Sequence, residues 1–263
     1  MNKPAVFYEI DEYGIATLTL NKAERHNAFD EQMITQLLEG LKVLENDPSV
    51  RLLKLKAEGK SFSAGADLNW MRAMAHYSKQ ENYVDALQLA SLMYTLYHFN
   101  KPTIAVVQGS AFGGGVGLVA CCDIAIAVKE AKFCLSEVKL GLIPAAISPY
   151  VIAKMGESAA RRYFLTAESF DALEAQRLEL VHTVTEANNL EKTVDTYCER
   201  LLKNSPAALI AAKKLISYVV NTPFSTAMSE KTAAEIAQLR VSAEGQEGLR
   251  AFLEARTPNW VQK

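Results

Sequence analysis

The sequence predicts an α/β fold that ends in a helical layer. Short β-patterned runs alternate with helical ones through residue 190, glycine-bearing loops follow two predicted strands, and residues 191–263 read as almost wholly helical. Strands and helices that alternate in this way bury one face each in stacked layers. The expected division is an α/β core over 1–190 and a C-terminal helical region over 191–263.

Taken in order, Ile15–Leu20 alternates apolar residues with Ala and Thr, the pattern of a half-buried strand. After the turn-like NKAERHN, Asp30 is placed to cap a helix whose apolar face is Met33, Leu37, Leu38, Leu41 and Leu44. Leu52–Ala57 reads as the next strand and leads into the loop SFSAGAD. A helical stretch over 80–99 stops before Lys101-Pro102, because proline opposes continuation of the helix. Thr103–Val107 is β-branched and apolar, as a buried strand would be, and runs into GSAFGGGVGLVACCD. There three successive glycines open an apolar helical segment, a succession that brings backbone amides up against a ligand. Further helices are expected over 207–220, 227–239 and 248–256. No linker or repeat separates them from the rest, so they are expected to pack on the core or on a neighbouring subunit.

Composition narrows the function classes. With 263 residues, 49% hydrophobic and 22% charged, the chain has the makings of a globular protein with a sizeable core. A formal net charge of -2 gives no broad basic field for nucleic acid or an anionic membrane surface. The basic pairs Arg161-Arg162 and Lys213-Lys214 read as solvated helix faces. Cys121, Cys122, Cys134 and Cys198 lack metal-ligand spacing and are expected to be reduced and mostly buried. The N-terminus resembles neither a signal nor a transit peptide, and no apolar run has membrane-helix length. Cytoplasm is the expected location.

Three segments carry candidate chemistry. In SFSAGADLNW and QGSAFGGGVGL, small residues at strand ends let backbone N–H groups face a ligand, and two such amides make an oxyanion hole. Glycines in turns are also common for purely structural reasons. In LSEVKLGLIPAA, Glu137 lies among Leu135, Val138, Leu140 and Leu142. Burial among such residues raises a carboxyl pKa toward the range where one group both takes and gives a proton. Taken locally, an exposed glutamate at a strand end fits the same pattern.

The order NKAERHNAF, SFSAGADL, KPTIAVVQGSAFGGGVGL, SEVKLGLIP, EARTPNW resembles the enoyl-CoA hydratase/isomerase, or crotonase, superfamily over essentially the whole chain. The resemblance implies a crotonase-like spiral of ββα units with a C-terminal helical trimerisation layer, assembled as a homotrimer or a dimer of trimers. It implies an acyl-CoA thioester substrate, coenzyme A entering as part of the substrate rather than as a cofactor. Ala66 and Gly114 match the two backbone donors to the thioester oxygen, and Glu137 matches the second catalytic glutamate. Arg25 and His26 match the loop along coenzyme A, Ala64 and Asp67 the segment lining its adenine and pantetheine, and Phe252 a C-terminal aromatic at the adenine end.

Two positions depart from the pattern. Family hydratases commonly read GGGxE, whereas Gly117 stands in the glutamate's place here, and Ala255 replaces a lysine of some relatives, with Arg256 adjacent to supply the charge. Alone, the single glutamate favours a Δ3,Δ2-enoyl-CoA isomerase. Yet SEVKLGLIPAAISPYVIAKMGESAARRYFLTAESFDA and SFSAGADLNWMRAMAHYS are similar to the bacterial methylglutaconyl-CoA hydratase subgroup, where a GGGxGL run is not foreign. Hydration of a short branched or carboxylated 2-enoyl-CoA is the expected reaction, with isomerisation or catalytically inactive CoA-ester binding as alternatives. Restoring the pattern by Gly117→Glu is expected to alter the hydration rate.

Other polar residues fit structural roles. Arg72 and His76, four apart on a predicted helix, would suit a distal carboxylate or a plain surface pair. His98 and His182 read as packed at element ends, and Asp123 as a turn brace. No zinc-like spacing, phosphate-binding GxxxxGK[ST] loop or early GxGxxG turn occurs, so no metal or nucleotide cofactor is expected.

Overall fold

The computed structural model describes residues 3–261. β1 (Val6–Ile10) and β2 (Ile15–Leu20) pair antiparallel and lead to α1 (Glu31–Asn46). The Asp30 carboxylate accepts from the Met33 amide at the start of α1, which buries Met33, Ile34, Leu37, Leu41 and Leu44. Then come β3 (Leu52–Ala57), β4 (Ser61–Ser63), α2 (Leu68–Met74) and α3 (Lys79–Tyr97). A reciprocal box of Ser78 and Glu81 satisfies the first amides of α3. The next turn is β5 (Thr103–Val107), β6 (Ser110–Phe112) and α4 (Gly114–Cys121); the following one is β7 (Ile124–Val128), β8 (Lys132–Cys134) and α5 (Ser148–Thr166). The chain ends with β9 (Phe170–Asp171), α6 (Ala172–Arg177), β10 (Thr183–Thr185), α7 (Leu190–Leu202), α8 (Pro206–Val220), α9 (Thr226–Val241) and α10 (Ala243–Leu253).

The strand pairs β3-β4, β5-β6 and β7-β8 each divide between two sheets. Their first strands lie in a six-stranded sheet of order β1-β2-β3-β5-β7-β10, their second strands in a four-stranded sheet of order β4-β6-β8-β9. Within each sheet the strands of successive turns run parallel, which winds the chain into a spiral of ββα units. Every residue of β5 is buried, as the continuous apolar run TIAVV predicts for an interior parallel strand. The half-buried reading of Ile15–Leu20 needs correction. β2 lies between β1 and β3 with α1 packed on it, so Thr17 and Thr19 are enclosed along with Leu18 and Leu20.

α7, where the expected helical region begins, packs on β5 and β7 and buries Leu190, Val194 and Cys198. The helices that leave large apolar residues outside follow it. On α8 to α10, Leu215, Ile216, Val220, Leu249 and Phe252 are exposed. Two cations fasten this end to the core. Lys213 of α8 reaches Asp123 Oδ2 at 2.7 Å, so it is a part-buried tie to the core rather than a freely solvated lysine. Arg51 donates to the carbonyls of Trp260, Leu202 and Asn204 at 2.8, 3.0 and 3.0 Å. All four cysteines are free and buried. Among the described residues no helix is long and apolar enough to cross a membrane.

Candidate active site

Because β4, β6 and β8 are parallel neighbours, their C-terminal ends lie side by side, and each feeds one of the three candidate segments. Carboxyl ends of strands in α/β sheets are where ligands commonly bind. The segments touch. A β-carbon on Gly65 would sit 3.3 Å from the Phe112 carbonyl oxygen, and one on Gly113 would sit 3.2 Å from Glu137 Oε1 and 3.9 Å from Gly65 Cα. Gly65 has φ +88° and Gly113 φ +49°, left-handed conformations that, with this crowding, explain why neither position carries a side chain.

The backbone around Ala66 and Gly114 leaves two donors over. Phe29 takes up both neighbours of Ala66: its amide donates to Gly65 O at 2.6 Å and its carbonyl accepts from the Asp67 amide at 2.8 Å. The Gly113 amide is spent on Cys134 O at 2.9 Å, which clamps the second segment to the third. Among the described residues no acceptor within the chain engages the Ala66 or Gly114 amide. Gly114 also opens α4, where first-turn amides lack intrahelical partners and the helix dipole favours negative charge.

Glu137 opens a short 3-10 helix that turns at Gly141. Its Oε2 is buried and has no hydrogen-bond partner among the described residues. Burial raises its pKa above the ordinary glutamate range, only partly offset by a backbone hydrogen bond. A carboxylate partly withdrawn from solvent holds a proton more readily, as a group that must accept and return one requires.

Gly117 gives the main surprise. A β-carbon there would lie 2.2 Å from Ile147 Cγ2, 2.9 Å from Ile147 Cβ and 3.1 Å from Met93 Sδ. The expectation that Gly117→Glu alters the hydration rate therefore carries a steric condition, because the space that a glutamate needs is filled by Ile147. Sequence reasoning missed Ile147, since only the fold brings it to Gly117.

The remaining residues assigned by resemblance fall into two groups. Arg25, His26, Ala64 and Asp67 come together: the Ala64 amide donates to His26 O at 2.9 Å, His26 Nδ1 lies 3.1 Å from Ser61 Oγ, and Arg25 Nη1 pairs with Asp67 Oδ2 at 2.9 Å. Asp67 also caps α2 through the Asn69 and Trp70 amides. Burial opposes its ionisation, but Arg25 and these amides outweigh that and hold its pKa below the usual range. Its carboxylate is thus committed within the chain. Buried Asn27, unmentioned in the sequence reading, sets the loop by donating to Glu58 O and Ser61 O at 2.8 and 2.9 Å while accepting from the Lys22 amide. Phe252 does not join this group within one protomer. It is 84% exposed on α10, whose main packing partners are α8 and α9.

Weaker candidates settle into structure. Arg256 is held by both carboxylate oxygens of Glu247 and by Glu254, so its charge is engaged locally. Arg72 donates to Asn69, and α2 ends at Met74, before His76. His98 ends α3, His182 Nδ1 accepts from the Ala125 amide, and Asp123 accepts from both the amide and hydroxyl of Thr103.

This sequence and architecture have well-matched relatives. The family model for enoyl-CoA hydratase/isomerase matches residues 11–263. A crotonyl-CoA hydratase of Syntrophomonas wolfei is 30% identical over 254 residues, covering 96% of each chain. A 2,3-dehydroadipyl-CoA hydratase of Escherichia coli is 30% identical over 247 residues, covering 94% of each. The crystal structure of an enoyl-CoA hydratase from Shewanella pealeana matches with a TM-score of 0.94 at 47% identity, over 97% of this chain and 96% of that one. With its two-sheet spiral and C-terminal helices, the chain has the crotonase fold and belongs to the enoyl-CoA hydratase/isomerase family of enzymes.

Proposed function

We propose that the chain hydrates a short 2-enoyl-CoA thioester, branched or carboxylated in its acyl part as in 3-methylglutaconyl-CoA, with Glu137 as the acid and base. The observation that carries this reading is the meeting of Glu137 Oε1 with Gly113 beside the unengaged Ala66 and Gly114 amides. In the reaction, Glu137 takes a proton from water as the water oxygen bonds to Cβ. The Cα–Cβ π pair moves to Cα and through it onto the thioester oxygen, where the two amides stabilise the enolate. The enolate then collapses and Cα receives the proton from Glu137. One water is added and the carboxylate is restored.

Arg25, His26, Ala64 and Asp67 form the proposed wall for the coenzyme A portion, completed by Phe252 of a neighbouring subunit in a homotrimer or dimer of trimers. A cytoplasmic location belongs to the same reading. Glu137 acting without a second glutamate favours a second reading, isomerisation by proton transfer between Cα and Cγ, since that reaction needs one base only. CoA-ester binding without turnover is the third. Incubation with crotonyl-CoA, 3-methylglutaconyl-CoA and a 3-enoyl-CoA, with mass detection of hydrated product and chromatographic separation of double-bond isomers, distinguishes the three. Hydration of neither 2-enoyl substrate would refute the proposal.

A further inference from the structure

Gly113 and Gly117 lie four residues apart, one at the cap and one within α4, so they are neighbours along one face, separated by about 6 Å of helix rise. Glu137 Oε1 stands over the first and Ile147 Cγ2 over the second, with Met93 Sδ beside it. Ile147 is 2% exposed and Met93 fully buried. Moving along α4 from the carboxylate, the next side chains met are therefore apolar and tightly packed.

We propose that Ile147 is the residue that holds this site to a single carboxylate: packed over Gly117 beside Met93, it excludes a second carboxylate at position 117. The inference rests on the acyl-CoA reading above. Its steric part follows from the 2.2 Å separation, since even a methyl group at position 117 collides with Ile147. Removing only the outer atoms of Ile147 is not enough, because its Cβ would still lie 2.9 Å away. Glycine at 147 is the substitution that opens the space.

A double-mutant cycle tests the contact without requiring activity. Gly117→Ala should lower the melting temperature, and adding Ile147→Gly should recover part of that loss, so that the two shifts are not additive. Additive shifts overturn the steric claim.

The chemical claim uses Gly117→Glu with and without Ile147→Gly. The single variant should fail to fold or melt far below the parent, whereas the double variant should regain structure and add a second ionisation to the pH profile of crotonyl-CoA hydration. A well-folded single variant, a double variant no more stable than the single, or a folded double variant with the parent's one-ionisation profile overturns it. A parent that hydrates nothing counts against the proposed reaction instead, and the melting results still decide the steric role of Ile147.

Discussion

Glu137→Gln separates chemistry from binding at this site. Glutamine keeps the length and most of the volume of the side chain, so the contact over Gly113, where Oε1 has 3.2 Å to a notional β-carbon, survives in outline. What it loses is the exchangeable proton. General acid–base catalysis contributes about 10²- to 10⁴-fold per positioned group, and here one group serves both transfers, so a loss near the top of that range, about 10⁴-fold in kcat, is expected. Affinity for the thioester should stay within about tenfold, because the oxyanion amides and the Arg25–His26 loop are untouched. Turnover is followed by mass detection of hydrated crotonyl-CoA, and affinity by calorimetry with butyryl-CoA. Near-parental rates of both hydration and isomerisation in the variant would refute the assignment.

The same substitution has a stability signature with a definite sign. Burial raises the Glu137 pKa in the folded protein above that in the unfolded chain. Stability from such a group is fully present below the unfolded pKa and is lost as pH rises through the folded pKa. At pH 7 the parent therefore carries the cost of a buried charge that glutamine does not. Glu137→Gln should melt at or above the parent at pH 7, and any advantage should fade toward about pH 4, below the ordinary glutamate pKa. In the parent, kcat/KM should fall on the acid side beginning above the usual carboxylate range, since the reaction starts with the ionised base.

Three further outcomes follow from other parts of the molecule. Gly114→Pro should fold, because the first position of a helix tolerates proline, although its β-carbon meets the Phe29 ring at 3.1 Å; loss of one oxyanion donor costs about 3–4 kcal/mol in the barrier, and near-normal turnover in a variant with parental circular dichroism would remove this loop from the oxyanion site. Arg51→Met should cost about 2–4 kcal/mol in denaturant unfolding and speed proteolysis after residue 202, because three carbonyl acceptors lose a charged donor. Light scattering at dilute concentration should report a trimer or a multiple of it, since α8 to α10 leave Leu215, Leu249 and Phe252 uncovered; a stable, fully active monomer would contradict the oligomer.

The legible parts of this chain are those whose signal is local. Asp30 and the apolar face of α1 share one helix, TIAVV is a single strand, and the three loops announce themselves by small residues or by a glutamate in an apolar stretch. The smaller sheet was not legible, because β4, β6 and β8 have three residues each and β9 two, too short for any periodicity to register. Nor were the long-range contacts: Lys213 with Asp123 and Ile147 with Gly117 are set by which helix lies against which, and their residue types alone point equally well to solvent or to core.

A consequence is that the site was easier to read than the sheet that carries it. Strands this short contribute few side chains of their own, but parallel pairing aligns their ends, and crowding there demands glycine at 65 and 113. The constraint that makes a strand end a good place for backbone donors therefore also leaves a mark in the sequence. Gly117 carries the same mark for a different reason: its hydrogen is turned toward a packed isoleucine rather than toward the two loops. A run of glycines records only that space is short. Whether that space belongs to a ligand or to a side chain depends on what the fold brings opposite, which is why Gly114 could be placed from its neighbours and Gly117 could not.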